Sequence, residues 1–310
     1  EGLAYYRRRR GGYGGYRRRR SPKVILKIIG VLLIVAVCAV AAIQTKRLWD
    51  ADATIAKLQG DTTGAQNASA QTDGQKTGSK ALKYQTLYPE MKADSTGTFE
   101  EGNAKAVYLT FDDGPSSNTE EILDALAEHD QKATFFVVGK NIEGREETLQ
   151  RIVDEGHTLG IHGYSHDYDE IYSSVDAFLE DFHEAYQAVY DACGVYPTVF
   201  RFPGGSINAY NRDVYQPIIA EMIRRGFVYY DWDVSGGDAT GEDLSAEEIC
   251  ENVVQGVSET EHPVVLLHDA ADKDATAEAV SEIVEQLLDI GYYCDKLTPN
   301  IQPVTFSYDE

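Results

Sequence analysis

Residues 106–115 read Ala-Val-Tyr-Leu-Thr-Phe-Asp-Asp-Gly-Pro, and the last six of them, Thr110-Phe111-Asp112-Asp113-Gly114-Pro115, decide the fold. Ala106–Leu109 is a short apolar run of strand character, and Gly114-Pro115 ends it at once. Two neighbouring carboxylates are therefore delivered at a strand end, where a turn begins. Neighbours on an extended strand point to opposite sides, so only a turn brings Asp112 and Asp113 to one place. If they meet, their like charges repel, and a metal ion, an arginine or a shared proton must offset the repulsion. The plain alternative is a strand end with Asp as turn former.

Outward from this stretch, short β-rich runs alternate with helical ones. Strands are expected at 107–111, 134–138, 158–161, 198–200, 227–230, 264–267 and 292–297. Helices are expected at 119–129, 145–155, 175–192, 213–225, 246–257 and 276–290. Gly156, Gly194, Gly226 and Gly291 stand just past four of the helices, where left-handed caps belong. Such alternation implies a parallel sheet with helices packed outside it. Seven strands suit a barrel or a doubly wound sheet, and in both the chemistry gathers at the strand C-terminal ends.

That rule locates the remaining candidates. After the third strand comes His162-Gly163-Tyr164-Ser165-His166, two imidazoles four residues apart that can face one metal. No Glu follows His162, which excludes the zinc-protease arrangement. With Asp113 they make a two-His, one-Asp set that leaves a position open for water. After the fourth strand comes Arg201-Phe202-Pro203-Gly204-Gly205-Ser206. Arg201 suits pairing with a carboxylate, and the glycines let backbone N–H groups approach a ligand. After the fifth comes Asp231-Trp232-Asp233-Val234-Ser235-Gly236-Gly237-Asp238, and after the sixth Leu266-Leu267-His268-Asp269. A strand-end His with an Asp to orient it suits a general acid. His129, His157, His183 and His262 fall in helices or at strand starts and are read as structural.

These five segments, in this order, resemble the motifs of the polysaccharide deacetylases of carbohydrate esterase family 4, the NodB-homology domain, over about residues 103–300. The resemblance implies a distorted (β/α)7 barrel, a divalent metal and removal of acetyl groups from acetylated sugars. Zinc is the first choice of metal, with Co2+, Mn2+, Ni2+ or Fe2+ as alternatives. By position, Asp112 resembles the catalytic base, and Asp113, His162 and His166 the metal ligands. Arg201 resembles the residue that tunes the base, His268 the acid and Asp238 the carboxylate that tunes it. Gly204 resembles the oxyanion-hole position and Leu266 the lining of the acetyl pocket. The sequence departs from the pattern at Gly163, where Ser or Thr is usual, and at Gly204, which replaces a common Tyr. Ser235 and Ala239 stand where Asp and Trp are usual. The backbone donor at Gly204 survives; the pocket wall changes.

Charge and hydropathy organise the rest. Eight Arg and two Lys against Glu1 give residues 1–27 a charge of +9, leaving −32 on the remainder of a chain whose total is −23. An acidic body argues against nucleic acid as a partner. Residues 1–21 are a low-complexity Arg/Gly/Tyr tail. Residues 22–44 hold an apolar run about as long as a bilayer core requires, and the basic side N-terminal to it places the tail in the cytoplasm and the rest outside. The expectation is an uncleaved single-pass anchor rather than a signal peptide cut after Ala39-Val40-Ala41. Residues 45–102 are expected as an extracellular tether, with Tyr84, Leu87, Tyr88 and Met91 able to dock on the catalytic domain of residues 103–310. Of the four cysteines, Cys38 sits in the apolar run; Cys193, Cys250 and Cys294 are read as buried thiols. The expected activity is N-deacetylation of cell-wall glycan, foremost N-acetylglucosamine of peptidoglycan. Chitin oligomers and acetylxylan are the alternative substrates. A non-catalytic wall-binding module and a metal-independent amidohydrolase are the alternative functions.

Overall fold

The computed structural model describes residues 81–95, 97–241 and 243–307. The basic tail, the apolar run of residues 22–44 and the tether up to residue 80 lie outside the described residues, as does Cys38. Among the described residues no helix is long and apolar enough to cross a membrane.

Eight strands form one sheet: β1 (Ala106–Asp112), β2 (Thr134–Val137), β3 (Thr158–Ile161), β4 (Val199–Phe200), β5 (Val228–Tyr229), β6 (Val234–Ser235), β7 (Val264–His268) and β8 (Tyr293–Cys294). The order is β5-β4-β3-β2-β1-β7-β6, with β8 pairing the start of β1, and every pairing is parallel. The sheet curls into a half-barrel with helices outside, consistent with a distorted (β/α)7 barrel. Among the described residues seven α-helices follow in chain order: α1 (Ser117–Glu128), α2 (Glu146–Asp154), α3 (Tyr168–Ile171), α4 (Val175–Cys193), α5 (Tyr215–Arg224), α6 (Ala246–Glu259) and α7 (Asp274–Asp289). The six expected helices are present to within two residues at each end. β6 and α3 were not expected: at two and four residues they are too short to carry a period.

The period of two along each strand sorts residues between two faces. On β1, Val107, Leu109 and Phe111 enter the outer core under α1, α6 and α7, whereas Ala106 and Tyr108 enter an inner cluster with Phe136, Val199, Tyr230 and Val264. The inner row continues to Thr110 and Asp112. The same parity puts His162 beyond Gly160 on β3, Arg201 beyond Val199 on β4, and His268 beyond Leu266 on β7. Gly160 has a steric reason: a Cβ there would stand 2.5 Å from the Phe136 ring and 3.1 Å from the Val199 carbonyl.

The segment before β1 is part of this body. Met91 is fully buried, and Tyr84 and Tyr88 pack on the aromatic cluster beneath α4 and α5. Arg225 holds the segment by donating to the carbonyls of Leu87 and Tyr88, each at 2.8 Å, while Glu221 offsets its buried charge at 2.7 Å. Gly156, Gly194, Gly226 and Gly291 all have positive φ, as expected of caps. Cys193, Cys250 and Cys294 are free thiols; burial pushes Cys250 up to about 11 and Cys294 to about 12.

Candidate active site

The turn after β1 does what the two carboxylates require. Asp113 adopts φ +77°, leaving the strand conformation, and its carbonyl is held by Asn141 Nδ2 at 2.8 Å. A non-glycine residue there costs about 1 kcal/mol or more of backbone strain. Both carboxylates then converge on one imidazole: His162 Nε2 lies 3.7 Å from Asp112 Oδ2 and 3.6 Å from Asp113 Oδ1. Gly114 is required by what sits above it, because a Cβ would lie 2.1 Å from Asp269 Oδ2.

Asp112 is 2% exposed. Its Oδ1 accepts from Arg201 Nη1 at 2.9 Å. Arg201 is itself 1% exposed and bonded through every nitrogen: Nη1 also donates to Thr110 Oγ1 (2.6 Å), Nε to the Tyr230 carbonyl (2.9 Å) and Nη2 to the Asp231 carbonyl (3.0 Å). Its guanidinium lies 4.5 Å from the centroid of the Phe136 ring. A buried ion pair returns its desolvation cost only when its geometry is good and further hydrogen bonds are made, and here each of the three guanidinium nitrogens has an acceptor.

Asp113, His162 and His166 form the second group. His166 Nε2 is 3.1 Å from Asp113 Oδ1, and the three nearest ligand atoms all lie within 4.8 Å of one another. His162 Nδ1 meets the Arg201 carbonyl at 3.0 Å, which turns Nε2 toward Asp113. His166 sits at φ +55°, and Asp181 fixes the loop before it by accepting from the backbone N–H groups of Tyr164 and Ser165, each at 2.8 Å. Burial raises the Asp113 carboxyl, but the neighbouring His166 and His162 more than reverse this and hold it well below the usual carboxylate range. Burial lowers His162, against the opposing pull of Asp112 and Asp113, so it is the neutral, ligating form that is favoured.

These residues fit a divalent cation. Asp113 Oδ1 is buried and has no partner of hydrogen-bonding geometry. Tetrahedral N and O ligands about 2.0–2.1 Å from zinc stand about 3.3–3.4 Å apart, and Asp113 Oδ1 lies 3.1 and 3.6 Å from the two imidazole nitrogens. One carboxylate and two imidazoles are also the donor set of an open site.

On the neighbouring strand stands His268, paired in register with Asp112. Asp238 Oδ1 meets His268 Nδ1 at 3.0 Å, and Asp238 Oδ2 accepts from the His268 N–H (2.8 Å) and Thr276 Oγ1 (2.9 Å). Burial lowers His268, yet the hydrogen bond and charge of Asp238 outweigh it, so the imidazole is raised. The Nδ1 contact leaves Nε2 as the nitrogen free for proton transfer. Gly204, at φ +74°, and Leu266 line the same cleft of about 680 Å³, with Tyr168 and Trp232. All nine residues singled out by sequence thus line or adjoin one cleft, Arg201 from beneath. His129, His157, His183 and His262 do not line it.

Sequence reasoning missed the residues that hold these in place. Asp231, fully buried, accepts from Ser206 N (2.8 Å), Ser206 Oγ (2.5 Å) and Phe306 N (2.7 Å), tying the Gly204–Ser206 loop to the C-terminal segment. Asp269 accepts from Thr119 Oγ1 at 2.6 Å, while its backbone N–H donates to the Asp112 carbonyl and its own carbonyl accepts from Ser116 Oγ. Burial, with some help from the Asp113 and Asp112 charges, pushes it up to about 7. Both stand inside segments quoted above, but nothing in the local sequence names the distant groups that they satisfy.

The sequence profile of the family described as Polysaccharide deacetylase matches residues 99–220. The chain is 30% identical over 249 residues to the putative polysaccharide deacetylase YheN of Bacillus subtilis, covering 78% of this chain and 85% of that protein. It is 29% identical over 225 residues to a peptidoglycan-N-acetylglucosamine deacetylase of Bacillus cereus, covering 71% of this chain and 80% of the relative. Among solved structures, the catalytic domain of peptidoglycan N-acetylglucosamine deacetylase from Eubacterium rectale superposes with a TM-score of 0.65. Its sequence identity is 33%, over 72% of this chain and 100% of that domain.

Proposed function

Since this chain belongs to the polysaccharide deacetylase family, we propose that it is a metal-dependent hydrolase that removes N-acetyl groups from cell-wall glycan, with N-acetylglucosamine of peptidoglycan as substrate. The observation that carries this is the convergence of Asp113, His162 and His166 beside an Arg201-held Asp112, with His268 facing them.

Asp113, His162 and His166 would hold the cation, which when bound polarises the acetyl carbonyl and acidifies water. Asp112 is the base. Arg201 on Oδ1 fixes the orientation of the carboxylate and leaves Oδ2, the atom turned toward His162, to take the proton of the attacking water. The N–H of Gly204 is the backbone donor for the oxyanion, in a loop fixed from below by Asp231. His268, whose imidazolium form Asp238 favours, gives its Nε2 proton to the sugar nitrogen as the C–N bond breaks. The products are acetate and the free amine. Leu266 supplies apolar contact for the acetyl methyl in the cleft.

For location, we propose residues 22–44 as a membrane anchor with the catalytic domain outside, a reading supported by the charge asymmetry of the first 27 residues. Externally added protease should then remove the catalytic domain from intact cells.

The test of function is acetate release by the purified chain from peptidoglycan, chitin oligomers and acetylxylan, with Zn2+ or Co2+ supplied. Release fastest from peptidoglycan supports the reading. Turnover confined to either other polymer moves the substrate there. Glycan binding that survives Asp112→Asn, with no acetate from the wild type, replaces the enzyme by a binding module.

A further inference from the structure

Gly204 leaves no side chain on one wall of the cleft, and another element fills that wall. A Cβ built on Gly204 would lie 3.3 Å from Tyr168 Oη and 3.4 Å from its ring. Tyr168 opens α3, whose start is fixed by Asp167 Oδ1 accepting from the N–H groups of Asp169 and Glu170. The Tyr168 ring lies 5.2 Å from that of His166 and lines the cleft. It is also the middle of a row. Tyr172 stands behind it at 6.3 Å and 8°, buried and anchored by its hydroxyl to the Pro203 carbonyl at 2.8 Å. Tyr210 stands in front at 5.1 Å and 26°, and is 55% exposed. The backbone N–H of Tyr210 donates to Asn208 Oδ1 at 2.8 Å, and Asn208 Nδ2 donates to the Pro203 and Gly205 carbonyls. The outermost ring is therefore fixed to the same loop that carries Gly204.

A row of near-parallel rings running from the core to solvent, with its middle member beside the candidate cation ligands, is a platform rather than a scattered surface tyrosine. A pyranose ring has a flat C–H face and hydroxyls at its edge. It matches a tyrosine, which offers an apolar face and a polar rim at low entropic cost.

We propose that the Tyr168–Tyr210 row is a glycan subsite: Tyr168 forms the aromatic wall of the sugar whose acetyl group is cleaved, and Tyr210 stacks on the adjoining sugar of the strand. This rests on the glycan reading above. It assigns substrate-length preference to two residues outside the acid, base and cation groups.

The test compares kcat/KM for the tetramer of N-acetylglucosamine with that for its dimer. Tyr210→Ala should lower the tetramer-to-dimer ratio about three- to tenfold, the range expected for loss of one aromatic contact, and Tyr210→Phe should retain it. Tyr168→Phe should likewise retain the ratio, because it keeps the ring on which Tyr210 rests. A structural role would lower both substrates together; an unchanged ratio in Tyr210→Ala overturns the proposal. A second arm needs no turnover: calorimetric affinity for the tetramer, measured in Asp112→Asn with and without Tyr210→Ala. About three- to tenfold weaker binding in the double variant supports the platform even if the wild type releases no acetate, in which case only the deacetylase reading fails. Equal binding in the two overturns the platform whatever the activity.

Discussion

Asp112 and Asp113 are neighbours of one residue type, yet they belong to two regions built in opposite ways. The region around Asp112 grows out of regular strands: Thr110, Asp112, Arg201 and His268 continue the inward rows of β1, β4 and β7, and each nitrogen of the Arg201 guanidinium is met by an acceptor. The region around Asp113 grows out of turns: Asp113, Gly163 and His166 all have positive φ, and one buried Asp113 oxygen lacks a hydrogen-bond partner. The first region is electrostatically closed within the protein. The second gathers one carboxylate and two imidazoles on strained backbone and leaves the set unbalanced. Strain of this kind persists where the surroundings over-determine it, here Asn141 on the Asp113 carbonyl and Asp181 on the loop before His166. A base has to be held ready whether or not a cation is present, whereas a cation site gains from geometry that only the cation completes.

The sharpest way to break the closed region is Arg201→Met. It leaves the Asp112 carboxylate buried with only a neutral imidazole and Thr110 nearby, and removing one partner of a buried pair costs about 3–5 kcal/mol. The denaturant midpoint should fall accordingly and activity should vanish with it. Asp112→Asn keeps the shape and the Arg201 contact while removing the base, so it should lower kcat about 10²- to 10⁴-fold with a much smaller change in denaturant midpoint. Loss of fold in Asp112→Asn and not in Arg201→Met would reverse the account of which residue the region depends on.

The open region should respond to the cation instead. Saturating Zn2+ at about 100 times its Kd adds about 2.7 kcal/mol of stability, and a chelator should remove it. His166→Ala should abolish this rise in melting temperature while leaving the chelated protein nearly as stable as the chelated wild type, because His166 is only partly buried, on a turn outside the strands. A zinc-induced rise that survives in His166→Ala places the cation elsewhere.

The two regions also differ in how well they could be read from sequence. Strand parity is a period of two, so once residues 107–111 were read as a strand, Asp112 and Asp113 needed a turn to meet, and the strand-end rule carried over to Arg201 and His268. The spacing of His162 and His166 was legible, but the backbone that makes them converge was not: it depends on Asp181, far along α4, capping two N–H groups of their loop. Asp231 and Asp269 escaped for the same reason. They satisfy groups of turns distant in sequence, and neither hydrophobic period nor local propensity encodes such a partner. Tyr168 was hidden by the brevity of α3, and its place against Gly204 is a contact between two loops that only the folded chain brings together.

The smallest expected effect separates the acid from both regions. Asp238 raises His268 through a hydrogen bond to Nδ1 and its charge, against the opposing effect of burial. The imidazolium is the working form, so activity persists as pH rises until the pH passes the His268 pKa in the enzyme and then falls. Asp238→Asn removes the charge but keeps a side chain of the same shape. His268 should then titrate lower, and the alkaline limb of the kcat/KM profile should move toward lower pH while the acid limb stays in place. The stability linkage has the same sign. A His whose folded pKa is raised stabilises the fold fully below its unfolded value of about 6.5, and loses that contribution as pH rises through the folded value. The advantage of wild type over Asp238→Asn in melting temperature should therefore be larger at pH 6 than at pH 9. An alkaline limb that stays in place would assign it to a group other than His268, and would leave Asp238 with only its hydrogen bonds to the His268 N–H and Thr276.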